Sequence, residues 1–266
     1  MDWGMQNRLS QILQPESGHT VMLAVDHGYF QGPTTGLEEP GKTIEPLLPY
    51  ADALMPTRGV LRECVSPNTQ TSIVLRVSGG NTMARVDELS DEIITTSMED
   101  AVSLNVAAVA VSVYVGSLHQ KQTLQNLSDV VNQAVKYGMP VLAVTAVGKD
   151  MVRDSRYLSL CCRVAAELGA HMVKTYYCEG FEDVVRGCPV PIVMAGGKKI
   201  PEKDALTLTY NAIQGGAKGV DMGRNIFRSE APVAMIKAVR AIVHEKASVD
   251  DAFGAVSYTH LTLPTM

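Results

Sequence analysis

The chain has 266 residues, 46% of them apolar, and a formal net charge of −5. That is enough material for a sizeable core, in one large barrel or two smaller domains, and it excludes a disordered chain. The acidic balance argues against a nucleic-acid footprint but leaves room for a local basic pocket that holds a phosphate.

In chain order, short apolar runs rich in β-branched residues fall at 21–26, 53–57, 72–77, 107–115, 140–146, 170–176, 190–195 and 219–223. They read as strands buried on both faces. Amphipathic stretches lie between them, most clearly at 120–137, 154–168, 201–214 and 231–245. Gly138, Gly169 and the pair Gly215-Gly216 sit where helices end, and Pro201-Glu202 opens one. Eight strands in a βα repeat predict an α/β fold, a (β/α)8 TIM barrel in one domain over residues 1–254. An open doubly wound sheet is the rival. It needs a glycine-rich turn after an early strand, whereas the first strand ends in Asp26-His27-Gly28. The segment 29–40 is expected to be a long first βα loop over the barrel mouth. Residues 255–266 read as a tail outside the barrel, an expression or sequence-assembly scar, with no helical period over 257–266.

No run reaches the length of a membrane helix, and residues 1–8 lack the stages of a secretory signal. The five cysteines, Cys64, Cys161, Cys162, Cys178 and Cys188, form no CxxC pair. They read as free thiols in a reducing, cytoplasmic setting.

Lys174 is the most informative residue. It interrupts the apolar sixth run, Ala170-His171-Met172-Val173-Lys174-Thr175-Tyr176. A buried amine is costly unless paired or used, and burial disfavours its charged form, which frees it as a nucleophile. Met172, Lys174 and Tyr176 share one strand face. An amine against packed helices is hard to satisfy, so the barrel interior is the expected side. The structural alternative is a lysine paired with a carboxylate or snorkelling to solvent. Asp26 closes the first strand, where a carboxylate is placed to pair with Lys174 across the barrel and move protons; His27 adds a group that titrates near neutrality. A capping role for Asp26 and a loop hydrogen bond for His27 are the plainer readings.

Glycine clusters follow the last two strands: Ala195-Gly196-Gly197-Lys198-Lys199 and Asp221-Met222-Gly223-Arg224-Asn225. Loops after the seventh and eighth strands often hold phosphate on bare backbone N–H groups, and Arg224 can clamp its oxygens. Gly196, Gly197, Gly223 and Arg224 are therefore candidates for an anion seat. Lys149 and Arg58 are further candidates, with a solvated loop cation as the plainer reading of each. Arg76 and Ser78, at the end of the third strand, are candidates as well. The histidines and cysteines show no metal-ligand spacing, and no HExxH, P-loop or nucleophile elbow is present.

Together, Val25-Asp26-His27-Gly28, Val173-Lys174-Thr175-Tyr176-Tyr177, Ala195-Gly196-Gly197-Lys198-Lys199 and Asp221-Met222-Gly223-Arg224-Asn225-Ile226-Phe227 resemble the DeoC/FbaB class I aldolase family. The stretches 23–36 and 147–153 resemble its thiolase branch. The resemblance spans roughly residues 2–253. It implies a lysine on the sixth strand that forms a Schiff base, matched by Lys174, with Asp26 and His27 beside it. It implies phosphate loops at Gly196-Gly197 and Gly223-Arg224. It also implies a phosphorylated hydroxy-diketone as substrate and coenzyme A as co-substrate, no bound cofactor, and a ring-shaped homo-oligomer, a decamer. The sugar-bisphosphate aldolases of the family carry a proton-shuttling tyrosine near the end of strand five. Val144, Thr145 and Ala146 stand there instead, which weakens a simple aldolase reading. The chain is also expected to begin some residues later than its relatives, which would weaken assembly or bare the barrel floor.

Overall fold

The computed structural model describes residues 2–146 and 152–262. Eight parallel strands close into a barrel: β1 (Thr20–Ala24), β2 (Ala53–Met55), β3 (Ser72–Arg76), β4 (Ala108–Val113), β5 (Val141–Thr145), β6 (Met172–Thr175), β7 (Ile192–Ala195) and β8 (Gly219–Met222). Each strand pairs with its neighbours in chain order. The ring closes between β8 and β1, with Thr20 opposite Gly219 and Leu23 opposite Met222. This is the predicted (β/α)8 barrel, and an open sheet is excluded.

Alternation along the strands sorts the side chains into two clusters. Met22, Ala24, Met55, Val74, Ala108, Ala110, Leu142, Met172 and Val193 fill the barrel, while Val21, Leu23, Leu75, Val109, Val173 and Met194 meet the helical layer. Met172 faces inward and Val173 outward, so Lys174 is on the inner face, between Val144 of β5 and Val193 of β7.

The helices start and stop on local signals. Asp154 accepts a hydrogen bond from Tyr157 N at the head of the helix Ser155–Glu167, and Gly169 (φ 97°) turns the chain out of it. Gly138 (φ 58°) does the same after Gln120–Ala134 and its one-turn extension.

Three elements fall outside the sequence reading. A helix at Trp3–Ile12, capped by Asp2, sends fully buried Ile12 into the inner cluster and so closes the barrel floor. After β3, Ser78–Gly79 pairs antiparallel with Ile93–Ile94, carrying a 3₁₀ segment at Met83–Glu88 between them. The last helix runs Val249–Thr262, which corrects the expectation of no helix beyond 257. Ala252 and Val256, one turn apart, are both buried against the barrel's outer layer and explain why the helix continues past Gly254. The first βα loop also begins with a helical turn, Gly28–Gln31.

Candidate active site

The C-terminal mouth of the barrel opens into a cavity of about 680 Å³, and Lys174, Asp26, His27, Gly196, Gly197, Gly223 and Arg224 all line it. Strand ends at this face are where such barrels gather functional side chains.

Lys174 is 9% exposed, and its Nζ lies 2.9 Å from Oδ2 of Asp221, a fully internal carboxylate on β8. Burial holds the Asp221 carboxyl above the ordinary value, and the nearby Lys174 cation only partly offsets it. Among the described residues neither Asp221 oxygen makes a hydrogen bond of good geometry, so its contact with Lys174 is an ion pair. The pair is thus an amine beside a carboxyl with raised proton affinity, a suitable arrangement for passing a proton between them.

The expected pairing of Lys174 with Asp26 is corrected. Asp26 is held by Arg76, whose Nε and Nη2 lie 2.9 and 2.8 Å from Oδ2. Arg76 ends β3 on the inward face, two residues after Val74, and reaches Asp26 before Lys174 does. Burial pushes the Asp26 carboxyl up, but Arg76, with His27 and Lys174, outweighs it and leaves the pKa below the usual carboxylate value. Arg76 also donates to Ser112 Oγ at 2.6 Å.

His27 departs from the near-neutral titration expected for it. Burial drives its pKa down to about 4, despite Asp26 Oδ1 4.0 Å from Nδ1. The ring stands edge-on to Phe227, and among the described residues Nδ1 has no hydrogen-bond partner. His27 is a neutral imidazole near pH 7. This fixes a sign. Above the ordinary value of 6.5 both folded and unfolded states are neutral and the stability is fully present; as pH falls towards 4 only the unfolded state gains the proton. Stability is therefore lost across that window. His19 and His171, also held low by burial, add to the slope. Thermal melting of His27→Gln is expected to show a shallower decline between pH 6.5 and 4 than the parent; parallel curves would remove the buried, neutral imidazole.

The two glycine turns meet beside the amine. A Cβ on Gly223 would lie 2.2 Å from Ala24 O and 2.7 Å from His27 Cε1, so only glycine fits there. Gly197 has φ +68°, in the left-handed region. Asn225, fully buried, donates to the carbonyls of Gly196 (2.7 Å) and Lys198 (3.2 Å) and accepts from Ile200 N (2.9 Å), which locks one turn to the other. Arg224 is half-buried, its pKa lowered by that burial, and among the described residues its Nε is unpartnered. This is a guanidinium with a free donor beside bare backbone, suited to an anion.

Arg58 is a correction. It begins the helix Arg58–Cys64, and its Nη1 pairs with Asp100 Oδ2 at 2.7 Å while Arg62 takes the other oxygen. It does not line the cavity. Lys149 lies outside the described residues.

Sequence reasoning missed one hub. Glu92, fully buried, accepts from Tyr29 Oη (2.6 Å), Ser78 Oγ (2.6 Å), Asn81 Nδ2 (3.1 Å) and Tyr114 Oη (3.3 Å). Burial raises the pKa of both phenols, keeping them as donors, and both line the cavity. Ser78 Oγ also accepts from Ser112 N, which links Glu92 to the Arg76–Asp26 pair. Glu92→Ala strands these donors and is expected to cost about 3–5 kcal/mol in a urea melt; a loss below about 1 kcal/mol would contradict the hub. Among the described residues no group of three or more His, Cys, Asp or Glu side chains is placed to hold a metal, and no helix is long and apolar enough to cross a membrane.

A closed parallel barrel whose C-terminal mouth holds a buried lysine–carboxylate pair beside two glycine turns is the architecture of a (β/α)8-barrel enzyme. A family model described as DeoC/LacD family aldolase matches residues 20–229, and the chain belongs to that family. It is 58% identical to the 3-hydroxy-5-phosphonooxypentane-2,4-dione thiolase of Photorhabdus laumondii, over 95% of this chain and 87% of that one. The protein of the same name from Escherichia coli K12 shares the same identity and coverage. Among solved structures, an archaeal fructose-1,6-bisphosphate aldolase with its catalytic lysine bound to a carbinolamine intermediate superposes with a TM-score of 0.80 at 23% identity, over 90% of this chain and 99% of that one. That likeness establishes the shared barrel.

Proposed function

We propose that this enzyme transfers the acetyl group of 3-hydroxy-5-phosphonooxypentane-2,4-dione to coenzyme A, giving acetyl-CoA and dihydroxyacetone phosphate in the breakdown of phosphorylated autoinducer-2. The observation that carries the reading is the Lys174–Asp221 pair, 2.9 Å apart in a cavity that also holds the glycine and arginine turns. The 58% identity to thiolases of that name supports the choice of substrate.

The chemistry follows from the bond to be broken. Gly196, Gly197, Gly223 and Arg224 seat the phosphate, which fixes the C4 ketone near Lys174. Asp221 takes a proton from the Lys174 ammonium; the freed amine attacks C4, a second proton moves from nitrogen to the carbonyl oxygen, and Asp221 returns the first to that hydroxyl as water leaves and the iminium forms. The thiolate of coenzyme A adds to the C2 carbonyl. The C2–C3 bond breaks, its electron pair enters the iminium as an enamine, and acetyl-CoA departs. The thiol's proton passes to the His27–Asp26 pair and from there to C3. Hydrolysis of the remaining iminium frees dihydroxyacetone phosphate and Lys174.

Val144, Thr145 and Ala146 line the cavity at the end of β5 and offer no phenol there, which favours thiol-dependent cleavage over simple aldol cleavage. No bound cofactor is required. We place the enzyme in the cytoplasm as a homo-oligomer, a decamer by resemblance, without nucleic-acid or membrane partners. Mass spectrometry of products formed from the diketone, with and without coenzyme A, tests the reading. Acetyl-CoA and dihydroxyacetone phosphate only when the thiol is present are expected. Cleavage without the thiol would make the enzyme an aldolase, and binding without turnover would make it a phosphosugar binder.

A further inference from the structure

The phosphate seat proposed above lies after β7 and β8. In the closed ring β3 and β4 stand four strands away, on the opposite wall. That wall carries Val86, Leu89, Tyr114 and Leu118 into the same cavity. Two of these apolar side chains stay open to solvent at the rim: Leu118 is 87% exposed and Val86 46%. Val86, Leu89 and Leu118 together give this side of the cavity an apolar lip, the kind of clustered surface that a ligand covers. The cavity, at about 680 Å³, has the size of a pocket for a drug-sized ligand, more than a five-carbon phosphate fills.

The reaction adds a direction. With the phosphate on C5 held at β7–β8 and C4 at Lys174 on β6, C2 lies two carbons further along and points away from the anion seat. A thiol has to reach C2 from that far end, because the near end is filled by substrate. Resting on that reading of the reaction, the geometry points to the β3–β4 wall as the entry lane for the pantetheine arm of coenzyme A, with Val86, Leu89 and Leu118 packing against its methylenes. A long, thin, mostly apolar arm suits such a wall, whereas the highly charged nucleotide end stays outside in solvent.

The test uses Val86→Asp and Leu118→Asp in the full chain, with coenzyme A and with pantetheine, which has the same arm and no phosphates. KM for both thiols is expected to rise about tenfold or more, the scale of spoiling one apolar contact in a pocket. Borohydride trapping of the diketone is expected to proceed at the parental rate, which also shows that the variants are folded. An unchanged KM for pantetheine overturns the lane. So does loss of trapping, which would put these side chains on the ketone side. If the parent makes no acetyl-CoA, the functional reading itself fails, and this is distinct from a parent that turns over while its variants keep their KM.

Discussion

Lys174→Met is expected to lower acetyl transfer by about 10⁴-fold or more, because no other group supplies the electron sink for the C2–C3 bond. Methionine has nearly the same shape and no amine. It removes the buried cation beside Asp221, 2.9 Å away in the parent, so burial pushes that carboxyl further towards its uncharged form. Folding should therefore survive, and circular dichroism with a denaturant melt checks that it does. Phosphate protection against heat should persist, since the glycine turns and Arg224 are untouched. A folded variant that keeps more than about a tenth of parental turnover would remove the lysine from the mechanism.

Asp221→Asn is the second large effect. Asparagine keeps the shape on β8 but neither takes nor returns a proton under working conditions. Loss of about 10²-fold or more in the rate of iminium formation is expected, the usual contribution of a positioned acid–base group. The rate of borohydride-dependent incorporation of the diketone reads this step separately from thiol attack. Asp221→Glu should recover part of the rate, because it restores a titratable carboxyl at a different reach. An Asn variant that forms the adduct as fast as the parent would leave Asp221 a purely structural counter-ion.

Some of this was legible in the sequence for clear physical reasons. Strands buried on both faces need continuous apolar, β-branched runs, and all eight appear as such. A lysine within one of those runs is conspicuous, and alternation along β6 puts it on the Met172 side, which is the barrel interior. Glycines at Gly196 and Gly223 were visible because close approach to Met222 and to Ala24 tolerates no side chain.

The rest depends on pairings that join distant strands. Asp221 was in plain view within the eighth-strand motif, but only the ring closure sets it against Lys174. Asp26 drew the wrong partner because Arg76 competes for it, and the inward face of β3 (Val74, then Arg76) was the signal available. Arg58 has the right position after a strand and the wrong direction, since Asp100 captures it. Glu92 sits in a short hairpin with no periodic pattern, so nothing in the chain marks it before Tyr29, Ser78 and Tyr114 converge on it. The helix Trp3–Ile12 carried one usable signal, the Asp2 cap, and its buried positions are too few to stand out.

Trapping the wild-type enzyme with the phosphorylated diketone and borohydride, followed by peptide mass mapping, bears most directly on the proposal that one buried amine holds the substrate. A reduced adduct on the peptide carrying Lys174, formed only when the ketone is present, is the predicted result. An adduct on another lysine, or turnover to acetyl-CoA with no adduct at all, would contradict it.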